Sequence, residues 1–203
     1  MPLHFLSSAP QQQVSENPTL IMLHGRGSDE HDLFGLKEHF DPRLTIYSLR
    51  APNQFEWGGY TWFDLHEDGS VDEESFFNST SKIITFINTL QTKKLFLLGF
   101  SMGAIMSYSI ALTHPNICKG ISALSGFAPL QIENKYRLQE LQDLHIFISH
   151  GIQDPIIPVS SARKTKELLA RSNALVSYNE YDMAHQINDV CLHDVNVWMQ
   201  NLI

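Results

Sequence analysis

The sequence predicts an α/β fold, with a mostly parallel central sheet flanked by helices, in one domain spanning residues 1–203. Three observations lead there. Seven short apolar runs alternate along the chain with segments of helical periodicity. Most of these runs are nearly apolar throughout and do not alternate, as strands covered on both faces should be. The chain has 203 residues, 43% of them hydrophobic, which is one domain's length with a substantial core.

In chain order, a first strand is expected at 3–6, and a second at 19–23 after the polar loop 11–17. Residues 31–39 are amphipathic and read as a short helix, followed by a strand at 45–49. Residues 76–90 place Phe76, Phe77, Ile83, Ile84, Ile87 and Leu90 on one helical stripe. The strand 95–99 runs into 102–113, whose small and apolar residues predict a buried helix that Pro115 ends. Strands at 120–125 and 145–149 follow, and Pro158 suits the first turn of a helix reaching about Arg171. After a strand at 176–181, a helix at 186–202 aligns Ile187, Val190, Cys191, Val195, Trp198 and Leu202. Two connections are long, 50–74 and 126–144. Long connections after strand ends are commonly functional loops.

Composition narrows the function. Lys plus Arg number 14 against 22 Asp plus Glu, a formal net charge of -8, so no nucleic-acid partner is expected. No apolar run approaches the ~20 residues that span a bilayer, so no stable membrane insertion is expected either. The opening residues lack a basic segment and a long apolar one, which argues against a signal peptide. Cys118 and Cys191 show no metal or redox spacing and read as reduced thiols of a cytoplasmic protein.

The chemistry centres on Gly99-Phe100-Ser101-Met102-Gly103, a G-x-S-x-G sequence between an apolar strand and a helix. A sharp strand-to-helix turn exposes such a serine as a nucleophile, and the helix N-terminus lends it partial positive charge. A serine hydroxyl needs an adjacent base. Of ten histidines, His185 follows a late strand and precedes the last helix, where a loop can deliver its ring over Ser101. His24 and His150 also end strands and are expected to shape loops. The orienting acid is Asp154, in the turn after strand 145–149, which completes the order Ser, Asp, His of α/β-hydrolases. The loop Leu23-His24-Gly25-Arg26-Gly27 follows the second strand and suits an oxyanion donor. The expected pair of donors is the backbone N–H groups of Arg26 and Met102. His24, Asp29, His31 and Asp32 could instead form a metal cluster. Helix capping by Ser28 or Asp29, with acids in the first turn, accounts for the same residues, so neither metal nor cofactor is expected.

With these pieces placed, the chain resembles the phospholipase/carboxylesterase family of α/β-hydrolases, which includes bacterial carboxylesterases and acyl-protein thioesterases. The resemblance runs from LIMLHGRGSDE through RAPNQFEWGGYTWFD, LGFSMG and SHGIQDPIIP to YDMAHQI. It implies a hydrolase core without a large cap domain, acting on a small-molecule ester or thioester without a metal. Carried over by motif, Ser101, Asp154 and His185 become nucleophile, orienting acid and base. Met102 stands where many members have Gln, and Ala184 where many have Gly. The expected activity is cleavage of esters with short or medium acyl chains through an acyl-enzyme on Ser101. A thioesterase or lysophospholipase with the same triad is the alternative, and a catalytically silent binding protein a remote one. Among the aromatics of 50–74, Trp57, Trp62 and Phe63 are expected as walls for the substrate's apolar part.

Overall fold

A computed structural model describes residues 2–67 and 70–203; Met1, Asp68 and Gly69, the last two within the long connection 50–74, lie outside them. The apolar runs hydrogen-bond side by side, the central ones buried on both faces. β1 (Phe5–Ser8), β2 (Thr19–Leu23), β3 (Thr45–Leu49), β6 (Leu95–Phe100), β7 (Gly120–Leu124), β8 (His145–Gly151) and β9 (Leu175–Tyr181) form one sheet. Its order is β1-β3-β2-β6-β7-β8-β9, parallel throughout except for β1, which runs antiparallel to β3. Alternate residues of each strand face opposite layers. Ile21, Leu23, Leu97 and Ile148 meet α2 (Glu73–Ile87), α3 (Met102–Thr113) and α4 (Val159–Leu169). Leu20, Met22, Leu98 and Phe147 meet α1 (His31–Phe34) and α5 (Asp189–Gln200) on the other face. This is the expected α/β architecture.

Several boundaries differ from expectation, each for a local reason. β1 starts two residues late and continues through Ser7 and Ser8, paired to Tyr47 and Ile46, because an edge strand needs no second apolar face. The helix expected at 31–39 is two pieces, α1 and a 3-10 turn Lys37–His39, separated at Gly35. α2 begins a turn early because the Asp72 carboxylate accepts the Ser75 N–H at 2.8 Å and caps it. Asn188 caps α5 in the same way through Cys191 N–H at 2.9 Å, so that helix starts after 186. β8 and β9 pair as far as Gly151 and Tyr181, and thereby carry the two loops that follow them to the same end of the sheet.

The connection 50–74 contains a small hairpin, β4 (Asn53–Gln54) and β5 (Tyr60–Thr61). Its strands are two residues each, too short to leave a period in the sequence. Tyr60 forms an isolated bridge with Ser28, which docks the hairpin on the loop after β2. Both cysteines are free and buried; burial pushes the Cys118 thiol up to about 12 and Cys191 up to about 11. No helix among the described residues is long and apolar enough to cross a membrane.

Candidate active site

β6 delivers Ser101 into a backbone conformation of φ 55°, ψ -117°, costly for a residue with a Cβ, before α3 starts at Met102. Two glycines make this turn possible. A Cβ on Gly103 would lie 1.9 Å from the Leu23 carbonyl oxygen, and one on Gly99 would lie 2.2 Å from the Gly103 oxygen. The turn is held by the Ser101 N–H, which donates to the Leu124 carbonyl at 2.8 Å. Strand, turn and helix are thus packed too closely for any other residue at 99 or 103.

The loops after β8 and β9 bring the other two expected residues to this turn. His185 Nδ1 lies 2.7 Å from Asp154 Oδ2, and its Nε2 lies 2.9 Å from Ser101 Oγ. An ionised carboxylate only accepts, so Nδ1–H donates to Asp154 and leaves the Nε2 lone pair facing the serine hydroxyl. Asp154 is itself fixed, its Oδ1 accepting the N–H groups of Ile156 and Ile157 at 2.8 and 2.9 Å. Burial alone would raise this carboxyl, but His185 and the two backbone donors outweigh it and hold it below the usual carboxylate range. Ile152 N–H donates to Tyr181 and Gln153 N–H to Met183, which locks the two loops together.

His150 shapes the loop after β8, as expected. Fully enclosed, it donates Nε2–H to the Ile157 carbonyl at 2.7 Å, with Asp154 Oδ2 3.4 Å from the same nitrogen. It ties the Asp154 turn back to the end of β8 through Ile157. Its place four residues before Asp154, at the end of a strand, was the available signal.

The expected oxyanion donors also face no competitor. Among the described residues, neither the Arg26 nor the Met102 backbone N–H has an acceptor in the chain. The loop bearing Arg26 sits directly on the nucleophile, since a Cβ on Gly25 would lie 3.5 Å from the Ser101 Cβ. It is pinned from behind. Gly27 N–H donates to Tyr60, and the Trp62 indole N–H donates to the His24 carbonyl, both at 2.8 Å. His24 Nδ1 bonds the Gly25 carbonyl at 2.7 Å, and its Nε2 accepts Ala51 N–H at 3.0 Å.

These contacts correct one expectation. Trp62 and Phe63 are 0% and 1% exposed, so they are core residues and not pocket walls. Trp62 braces the loop before Arg26, and Phe63 packs edge-on against Phe76. Trp57, at the hairpin tip, is 83% exposed and stays accessible. The metal alternative loses one of its four residues, His24. Both His24 nitrogens are occupied, and although Asp29, Glu30 and His31 come together, Arg50 grips both Glu30 oxygens at 2.5 and 2.6 Å.

A family model described as phospholipase/carboxylesterase matches residues 8–203. The chain belongs to the phospholipase/carboxylesterase family. Acyl-protein thioesterase 1 of Kluyveromyces lactis is 28% identical over 200 residues, covering 88% of this chain and 87% of that protein. Acyl-protein thioesterase 1 of Saccharomyces cerevisiae is 30% identical over 182 residues, covering 79% and 80%. In fold, the chain matches the crystal structure of the Bacillus cereus carboxylesterase with a TM-score of 0.85, at 24% identity and over 99% and 95% of the two chains. Membership of the phospholipase/carboxylesterase family makes this chain a hydrolase of the ester and thioester class.

Two side chains set off from the family's common pattern have local explanations. Met102 turns its sulfur to Thr61 Oγ1 at 3.2 Å, so its side chain braces the hairpin while its N–H stays free. Ala184 presents its carbonyl to Gly151, where a Cβ would lie 2.3 Å away; the tight contact falls on the partner glycine, and a methyl at 184 is accommodated.

The phospholipase/carboxylesterase core should also be acid-sensitive in a definite order. Burial holds His24 below its ordinary value of 6.5, against the Gly25 carbonyl and nearby acids. The unfolded chain therefore takes that proton first, so His24's contribution is whole above about pH 6.5 and is lost as pH falls below it. His145 is shifted the same way, by burial and then by Lys119. Glu30, held down to about 2 first by its hydrogen bonds from Arg50, acts later, between 4.5 and about 2. Melting temperatures measured across pH at fixed ionic strength should start to drop between pH 6.5 and 5; a flat profile down to pH 4.5 contradicts the role of His24.

Proposed function

We propose that this chain is a serine hydrolase that cleaves carboxylic esters of short or medium acyl chains through an acyl-enzyme on Ser101. The observation that carries the reading is the continuous run of contacts from Asp154 through His185 to Ser101. Ser101 Oγ attacks the acyl carbonyl while His185 Nε2 takes its proton, and Asp154 stabilises the imidazolium. The carbonyl oxygen, now negative, receives the N–H groups of Arg26 and Met102; losing one such donor typically costs about 3 kcal/mol of transition-state stabilisation. His185 then protonates the departing alcohol. Water, deprotonated by the same imidazole, attacks the acyl carbonyl and regenerates Ser101.

A thioesterase reading uses the same groups, with a thiol leaving in place of an alcohol. It is favoured by the two thioesterase relatives. Two free, buried cysteines support a reducing compartment such as the cytoplasm. A fluorophosphonate probe should label the folded protein at Ser101, located by peptide mass spectrometry; an unlabelled folded protein would point to a silent binding protein. Paired kinetics on oxygen and sulfur esters of matched chain length decide between the two substrate classes.

A further inference from the structure

Among the described residues, arginine is spent on carboxylates, with one exception. Arg43, Arg50, Arg137, Arg163 and Arg171 each reach an acidic side chain. Arg26 does not. Among the described residues no carboxylate lies at ion-pair distance from its guanidinium, and no hydrogen bond from that group is made. The cation is nevertheless placed. Its central carbon sits 4.4 Å from the centroid of the Phe55 ring, on the hairpin that docks against the same loop. Phe55 is fixed in turn, since a Cβ on Gly27 would already lie 3.3 Å from its ring edge.

Stacking on an aromatic face holds a guanidinium plane while leaving its N–H edges free for a bidentate carboxylate or phosphate. The position matters as much as the charge. Arg26 is exposed and follows Gly25, the residue packed against Ser101. The loop packed against Ser101 therefore carries a cation that has no acidic partner among the described residues, in a chain whose formal net charge is -8. We infer that Arg26 selects substrates that carry an anionic group, a carboxylate or a phosphate, a few bonds from the scissile ester or thioester. The inference rests on Ser101 as the reacting centre and adds the chemical class of the substrate.

The test compares charged and neutral members of matched ester pairs. One pair carries the charge on the acyl side: the 4-nitrophenyl half-ester of glutarate against its methyl-capped form, with a phosphonate analogue as a third arm. The other carries it on the alcohol side: 4-acetoxybenzoate against its methyl ester. The quantity read is the anionic-to-neutral ratio of kcat/KM, which cancels any effect on the backbone oxyanion donor common to both members. In at least one pair the ratio should fall about tenfold in Arg26→Met, which keeps an unbranched stem, and be largely retained in Arg26→Lys. Added salt should compress the wild-type ratio and leave that of Arg26→Met unchanged. The phosphonate arm shows whether Arg26 favours a phosphate-like or a carboxylate group. An unchanged ratio in both pairs, in folded Arg26→Met with Ser101-dependent turnover, overturns the inference and leaves the serine-hydrolase reading standing. Absence of turnover with every ester overturns both.

Discussion

Replacing Ser101 with alanine is expected to lower ester turnover by about 10⁶-fold, the scale seen when a triad nucleophile is removed. The melting temperature should move little. The lost atom is one hydroxyl oxygen, hydrogen-bonded among the described residues to His185 Nε2 alone. The left-handed φ of 55° is as costly for alanine as for serine, so no new strain enters. Some hydrolysis above the uncatalysed rate should persist, because the backbone donors and the substrate contacts remain. Steady-state turnover of the purified variant, with its circular dichroism, checks this. Wild-type-like rates in a folded Ser101→Ala protein would remove Ser101 from the mechanism.

What the sequence disclosed, and what it hid, follows from the range of each signal. The central strands were legible because a strand buried on both faces must be apolar at nearly every position, as Leu20–Leu23 and Leu95–Leu98 are. Ser101 was legible because close packing forces glycine at 99 and 103, and that need is written in five consecutive residues. Asp154 and His185 could be placed because parallel strands deliver their following loops to one end of the sheet. The hairpin was hidden, since its strands are two residues each and the contact that docks it, Tyr60 with Ser28, lies far away in sequence. Trp62 and Phe63 misled for a related reason. An aromatic in a long loop can face substrate or core, and the deciding contact, Trp62 indole to the His24 carbonyl, spans 38 residues. His150 lay in plain view, yet its bond to Ile157 depends on how the Asp154 turn folds back.

The geometry of that turn gives the sharpest test of the triad. Two acids lie near His185 in sequence or space, Asp154 and Asp182. Asp154 Oδ2 accepts a hydrogen bond from His185 Nδ1–H at 2.7 Å, whereas the exposed Asp182 carboxylate accepts from the Gln153 side-chain amide at 2.6 Å. Asp154→Asn keeps the volume and one carbonyl oxygen. That oxygen can still accept the Ile156 and Ile157 N–H groups, which turns the new NH₂ toward His185. The imidazole must then accept at Nδ1 and carry its proton on Nε2, where it can no longer take the proton of Ser101. A loss of about 10⁴ in kcat is the reference scale for this tautomer error. Asp182→Asn keeps an acceptor for Gln153 and touches neither ring nitrogen, so its cost should stay under about tenfold. Measuring kcat for both variants, each shown to be folded by its melting temperature, separates the two acids. If Asp182→Asn proved the more damaging, the acid of the triad would have to be Asp182, and the Asp154 turn would be a structural clasp alone.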